Sequence, residues 1–214
     1  MPLSRARSDG PFVVLTLAYA GMASLALTVG TLRGEPNVLE TVPRVASFRD
    51  DAIFAHVVSL ALSAMIAAAV VVGSRTWSNR AGALAALADE LRPFARSLPS
   101  GAIVPVAVGA AFGEEMLFRG ALAPWLGLLG STAIFALLHQ THGPSRVTWM
   151  LFAGIVGLGF GAVFLMTGSL VGPFVAHAII NAVNLRLLRR ARPTAPSPAL
   201  AGALRGRAVT RPQG

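Results

Sequence analysis

The sequence predicts an all-α fold: a polytopic membrane helix bundle with about six spanning helices and one amphipathic helix at the interface. Three observations predict it. Mean hydropathy is +0.65 over 214 residues and only 13% are charged, about half the charge of a typical soluble domain. Apolar runs close to the roughly 20 residues needed to cross a bilayer recur along the chain. Arginine, the only basic residue apart from histidine, gathers in alternate connections, as expected where basic residues set orientation.

The first run, Pro11–Leu32, follows Arg5 and Arg7. Ala18-Tyr19-Ala20 resembles a signal-peptidase site, but the apolar run continues past it, so an uncleaved signal anchor is expected. A polar loop, 33–51, carries Pro36 and Pro43 and leads to the second run, Ala52–Gly73. In 80–98, Leu84, Leu87, Leu91, Phe94 and Leu98 recur at spacings of three and four, with Asp89, Glu90, Arg92 and Arg96 between them. That pattern is an amphipathic helix on the membrane surface, bent near Pro93 and serving as a connector. Gly101–Ala123 is the third run, Leu126–Leu138 a short fourth, Val147–Met166 the fifth and Leu170–Leu188 the sixth. The tail from Ala191, rich in Ala, Pro and Arg, has no apolar period and reads as disordered. The expected organisation is 1–79 as N-terminal helices and loop, 80–190 as the main membrane domain and 191–214 as a disordered basic tail.

Arg75, Arg80, Arg92 and Arg96 follow the second helix, Arg146 precedes the fifth, and seven arginines lie at or beyond the end of the sixth. The first outer loop instead offsets Arg33, Arg44 and Arg49 with Glu35, Glu40, Asp50 and Asp51. Both termini are therefore expected on the cytoplasmic side. The all-arginine, alanine-rich composition points to a bacterial inner membrane. The basic tail reads as an orientation signal touching anionic lipid, not as a nucleic-acid arm. With no cysteine, disulfide and thiolate chemistry are excluded.

Charge inside hydrocarbon costs several kcal/mol, so the stretch FGEEMLFRG at 112–120 needs a reason. On a helix Glu115 and Arg119 share a face and can pair; Glu114 is turned by about 100°. One carboxylate is thus committed to structure and one left for chemistry. His139 ends the short fourth helix, with Phe135 one turn before it. His177 and Asn181 lie four apart on the sixth. At 1.5 Å per residue, Glu114 and His177 would each lie ~20 Å from the inner face and His139 at most ~10 Å deep, near enough to share a cavity. His56 reads as structural and His142 as a solvated loop residue. Glutamate beside histidine suits water activation, and histidine with asparagine suits holding an oxyanion. Glu114, His139 and His177 are equally a set for a divalent metal such as zinc. No HExxH zinc signature is present. Gly154, Gly157, Gly159 and Gly161 read as small residues that let helices approach.

Taken together, EExxxR at Glu114, Glu115 and Arg119, FxxxH at Phe135 and His139, and HxxxN at His177 and Asn181 resemble the CAAX-protease and bacteriocin-processing family of intramembrane proteases. The resemblance covers about residues 80–188. It implies that Glu114 activates water with His139, that His177 and Asn181 form the oxyanion site, and that Glu115 and Arg119 support them. It leaves a metal-free and a metal-dependent mechanism open, and no cofactor is assigned. Its prenyl endopeptidases carry additional membrane helices, so the substrate is read only as a membrane-associated peptide or protein. The partners are then that substrate and the lipid bilayer, with no nucleic acid. A scaffold or bacteriocin-immunity protein with a structural polar cluster is the alternative, and a proton- or cation-linked transporter a third reading.

Overall fold

The computed structural model describes residues 10–35, 37–77 and 82–191. Among these the regular structure is helical. Helices α1 (Gly10–Leu32) and α2 (Ala52–Trp77) precede α3 (Ala83–Ser97); α4 (Ile103–Glu114) runs without a break into a π-helical segment, Glu115–Leu122, and then α5 (Ala123–Leu138); α6 (Arg146–Thr167) and α7 (Val171–Arg190) complete the bundle. Five stretches are long and apolar enough to cross a membrane, and the third of them, Ser100–Leu138, contains two helices. The division falls at Gly127, whose φ of 74° and ψ of 173° interrupt the helix. A side chain disfavours positive φ, so glycine is the natural residue there. The Phe118 and Phe135 rings are 5.0 Å apart. On a continuous helix residues so separated would lie about 25 Å from one another, so the chain doubles back and yields the short fourth helix.

The surface of the bundle is apolar: Leu17, Leu129, Ile155 and Ile53 are exposed, whereas Ser59, Ser63, Glu115, Arg119 and Thr167 are buried. This distribution suits a lipid-facing exterior and a polar interior. With its multiple apolar spans, the protein is an all-α, multi-pass membrane bundle.

Close helix approach depends on missing side chains. A Cβ at Gly172 of α7 would lie 2.2 Å from the Ser59 carbonyl oxygen of α2, one at Gly113 of α4 2.6 Å from the Tyr19 carbonyl of α1, and one at Gly159 3.1 Å from Ile66. The 33–51 loop is less polar than its composition suggests. Val38 is buried against the bundle, and a Cβ at Gly120 would meet its carbonyl oxygen at 2.0 Å. Glu40 bridges Ser169, and Thr41 N–H donates to the carbonyl of Gly168 at 3.0 Å. Gly168 closes α6 at φ 76°. His56 ties this region to α2 through Nδ1, 2.7 Å from the Ser169 hydroxyl.

The amphipathic helix forms as the spacing predicts, with Pro93 inside it and Leu87, Ala88 and Ala95 buried. The tail expected to be disordered lies outside the described residues from residue 192 onward, as do Arg5, Arg7, Pro36 and Arg80.

Candidate active site

The stretch FGEEMLFRG lies at the junction of α4 and the π-helical turn, where backbone bonding slips by one residue. The Ala123 N–H donates to Phe118, five residues back. Single widened turns of this kind favour functional sites. Arg119 Nη1 and Glu115 Oε1 form an ion pair at 3.0 Å, with the Glu115 and Arg119 side chains 0% and 2% exposed. The same Glu115 oxygen lies 2.7 Å from His177 Nδ1 on α7. Arg119 also lies over the Phe135 ring, 4.3 Å from its centroid. A Cβ at Gly157 of α6 would reach Phe135 at 3.0 Å and Arg119 Nη2 at 3.2 Å. The glycine-rich helix thus gives room to the ion pair as well as to its neighbouring helix.

Glu114 turns the other way. Its Oε2 lies 3.7 Å from His139 Nε2 and 3.7 Å from His177 Nε2. That oxygen is buried and has no hydrogen-bond partner among the described residues. Both rings are fixed from behind. His139 Nδ1 is 2.8 Å from the Phe135 carbonyl oxygen, and His177 Nδ1 faces the Glu115 carboxylate. With each Nδ1 turned to its oxygen, each ring presents Nε2 to Glu114. His139 sits between Phe135 and Trp149, with tilted rings whose centroids are 4.2 and 5.6 Å away, and Phe160 lies beside His177.

Asn181 lies one turn beyond His177, half-buried. No hydrogen bond joins its amide to another group among the described residues. His142 is exposed. Among the described residues no group of three His, Cys, Asp or Glu side chains is arranged to hold a metal ion.

Two features escaped the sequence reading. The first is the Glu115–His177 contact. Glu115 was matched with Arg119 alone, and nothing in a 62-residue separation signals the second partner. The second is Glu90 of α3. Its carboxylate accepts from the Ser145 N–H at 3.2 Å, at the start of α6, just after the loop that leaves His139. The nearby Thr141 hydroxyl, foremost, and Ser145 hold its carboxyl below the usual carboxylate range, although Thr141 Oγ1 makes no hydrogen bond of ordinary geometry. Nothing local signals this contact, because Glu90 lies on α3, far along the chain from the turn-forming HGPS at 142–145. Beside the site, a groove of about 450 Å³ between α1 and α4 is lined by Phe12, Tyr19, Val106, Gly109 and Phe112.

Buried carboxylate, paired imidazoles and a spanning bundle define a polytopic membrane protein with a polar centre between its helices. Residues 96–183 match the family model described as type II CAAX prenyl endopeptidase Rce1-like. The resemblance drawn from the three motifs is borne out over that segment. A 90-residue stretch is 40% identical to the uncharacterized protein YpbD of Bacillus subtilis (strain 168), covering 41% of this chain and 45% of the relative. The chain thus spans less than half the length of the curated relative it matches. No solved structure matches it.

Proposed function

We propose that the protein is an intramembrane endopeptidase that hydrolyses a peptide bond of a membrane-associated protein or peptide with a water activated by Glu114. The observation that carries this reading is the orphaned Glu114 Oε2, buried 3.7 Å from two imidazole nitrogens. A buried carboxylate oxygen without a donor is costly. Glu115, by contrast, is engaged through Oε1 by Arg119 and His177, although its Oε2 is likewise without a hydrogen-bond partner. The match of 96–183 to an endopeptidase family supports the same reading.

In this mechanism His139 Nε2 orients the water while the Glu114 carboxylate takes its proton. The hydroxide oxygen bonds to the scissile carbonyl carbon. The oxyanion is met by the Asn181 amide and by Nε2–H of His177, which enters the step as an imidazolium and keeps both ring protons throughout. Glu115, ionised beside Arg119, stabilises the His177 imidazolium through Nδ1. Collapse of the intermediate breaks the C–N bond, and Glu114 returns its proton to the leaving amine nitrogen. Glu114 and His139 make the attack, His177 and Asn181 hold the developing charge, and Glu115 and Arg119 position His177. The mechanism needs no step through a metal. The bacterial inner membrane, with both termini cytoplasmic, is the proposed setting.

The test compares new protein N-termini in the host's membranes between wild type and Glu114→Ala at equal level. Termini that vanish in the variant name the substrate. An unchanged set, with the cellular phenotype intact, refutes the protease and leaves a packing role for the cluster.

A further inference from the structure

We propose that Arg92 and Arg96 of α3 form a site for the phosphate group of a phospholipid headgroup, apart from the Glu114 centre and independent of its chemistry. Arg92 is 6% exposed and its Nη1 pairs with Asp89. Its Nε is buried and has no hydrogen-bond partner among the described residues. A guanidinium does not shed its charge, and each buried N–H without an acceptor is costly. Beside it opens a recess of about 490 Å³ lined by Asp89, Arg92, Pro93 and Arg96. Arg96 is exposed and gives one N–H group to the Ala191 carbonyl at 2.8 Å. Asp89 balances one of the two positive charges, so the recess keeps a net charge of one sign. That charge and an unmet N–H suit a ligand that is anionic, compact and rich in acceptor oxygens. Phosphate has this chemistry.

The position of the recess selects a phosphate borne by lipid over one free in water. α3 packs Leu87, Ala88 and Ala95 against the bundle and leaves Phe94 41% exposed, the posture of a helix lying in the interface. It lies at the end of the bundle where α2 and α7 finish and α6 begins, the end that also carries Arg75, Arg146, Arg186, Arg189 and Arg190. Arg189 reaches across to the Leu98 carbonyl, fixing the last turn of α7 to the end of α3. Headgroup phosphates lie at this level of a spanning bundle.

The test uses the purified protein in detergent, titrated separately with phosphatidylglycerol, with a diacylglycerol of the same chains and with inorganic phosphate, and reads bound lipid by native mass spectrometry. Wild type is expected to retain phosphatidylglycerol and not diacylglycerol. Arg96→Gln should weaken retention roughly fivefold, the effect of one basic residue near a membrane surface. Arg92→Gln should weaken it roughly tenfold or more, as loss of a charge-assisted bond does. Arg44→Gln, at the opposite end, should change nothing. Should Arg92→Gln fail to fold, Arg96→Gln carries the test, because that side chain is exposed. Phosphatidylglycerol retention by Arg96→Gln equal to wild type overturns the proposal, as does diacylglycerol binding as tightly as the phospholipid. Inorganic phosphate displacing the lipid at equal concentration overturns the lipid assignment.

Discussion

Replacing Glu115 by Gln keeps the shape of the side chain and removes its charge from a fully buried place. Glu115 and Arg119 are 0% and 2% exposed, with Nη1 and Oε1 3.0 Å apart. The same oxygen lies 2.7 Å from His177 Nδ1. Arg119 stays charged in the variant. Its contact with the Phe135 ring is present in both proteins and compensates nothing. Breaking one partner of a buried ion pair costs about 3–5 kcal/mol. At roughly 2–4 °C per kcal/mol for a chain of this length, the variant should melt roughly 6–20 °C below wild type. Glu114→Gln is the control. Oε2 of Glu114 has no donor to lose, so that variant should melt at or above the wild-type temperature while losing cleavage. The assay is thermal unfolding of the three proteins in one detergent, followed by tryptophan fluorescence, with Trp149 5.6 Å from the His139 ring as a reporter near the site. A Glu115→Gln protein that melts with wild type would refute the buried ionic unit. A Glu114→Gln protein that melts far below wild type would reverse the roles assigned to the two carboxylates.

Gly120→Ala should destabilise by about 1–3 kcal/mol, since its new Cβ would stand 2.0 Å from the Val38 carbonyl, whereas Gly109→Ala, whose nearest neighbour is Tyr19 at 3.8 Å, should be tolerated; equal melting temperatures would show that the 33–51 loop does not press on the π-helical turn. Glu90 predicts a pH dependence. Its folded-state pKa is lowered from 4.5 by Thr141 first and then Ser145, so its clamp contributes stability above the unfolded value and loses it as pH falls through the folded one. The melting difference between wild type and Glu90→Gln should therefore be full at neutral pH and shrink as pH drops below about 4.5; a difference that is constant with pH would mean that the carboxylate charge is not what holds the loop.

Much of the architecture was legible because a bilayer imposes a length on any apolar run that crosses it. The apolar spans and the amphipathic α3 follow from hydropathy and spacing, whereas the fold-back falls at Gly127, inside the run read as the short fourth helix, so that five stretches span where six were expected. The pairing of Glu115 with Arg119 was legible too, because it is local: four residues bring the side chains to one face, and the π-helical turn does not undo this. What depends on helices far apart in sequence was not legible. His56 reads as a lone histidine until the α6–α7 turn delivers Ser169 to it. Val38 reads as part of a polar loop until Gly120 leaves space beneath it. His139 reads as shallower than Glu114 when depth is counted from helix ends. The structure nevertheless brings their side chains to 3.7 Å, because α5 stops short and the loop to α6 is held down by Glu90.

The Glu-Glu doublet gains its meaning from that third kind of contact. Local geometry separates the two carboxylates by direction but says nothing about what each one meets. Only when α7 packs beside α4 does His177 stand between them, with Nδ1 toward the ionised Glu115 and Nε2 toward the unpaired Glu114. A histidine so placed couples the two carboxylates. Any proton that Glu114 takes up lowers the charge facing Nε2, while Glu115 and Arg119 hold the other side of the ring fixed. Replacing Arg119 would disturb this arrangement at two points, through the charge balance of Glu115 and through the Phe135 ring on which the guanidinium rests. In the proposed mechanism Arg119 therefore matters to chemistry without approaching a substrate, as part of a structural pair beside the carboxylate proposed to react.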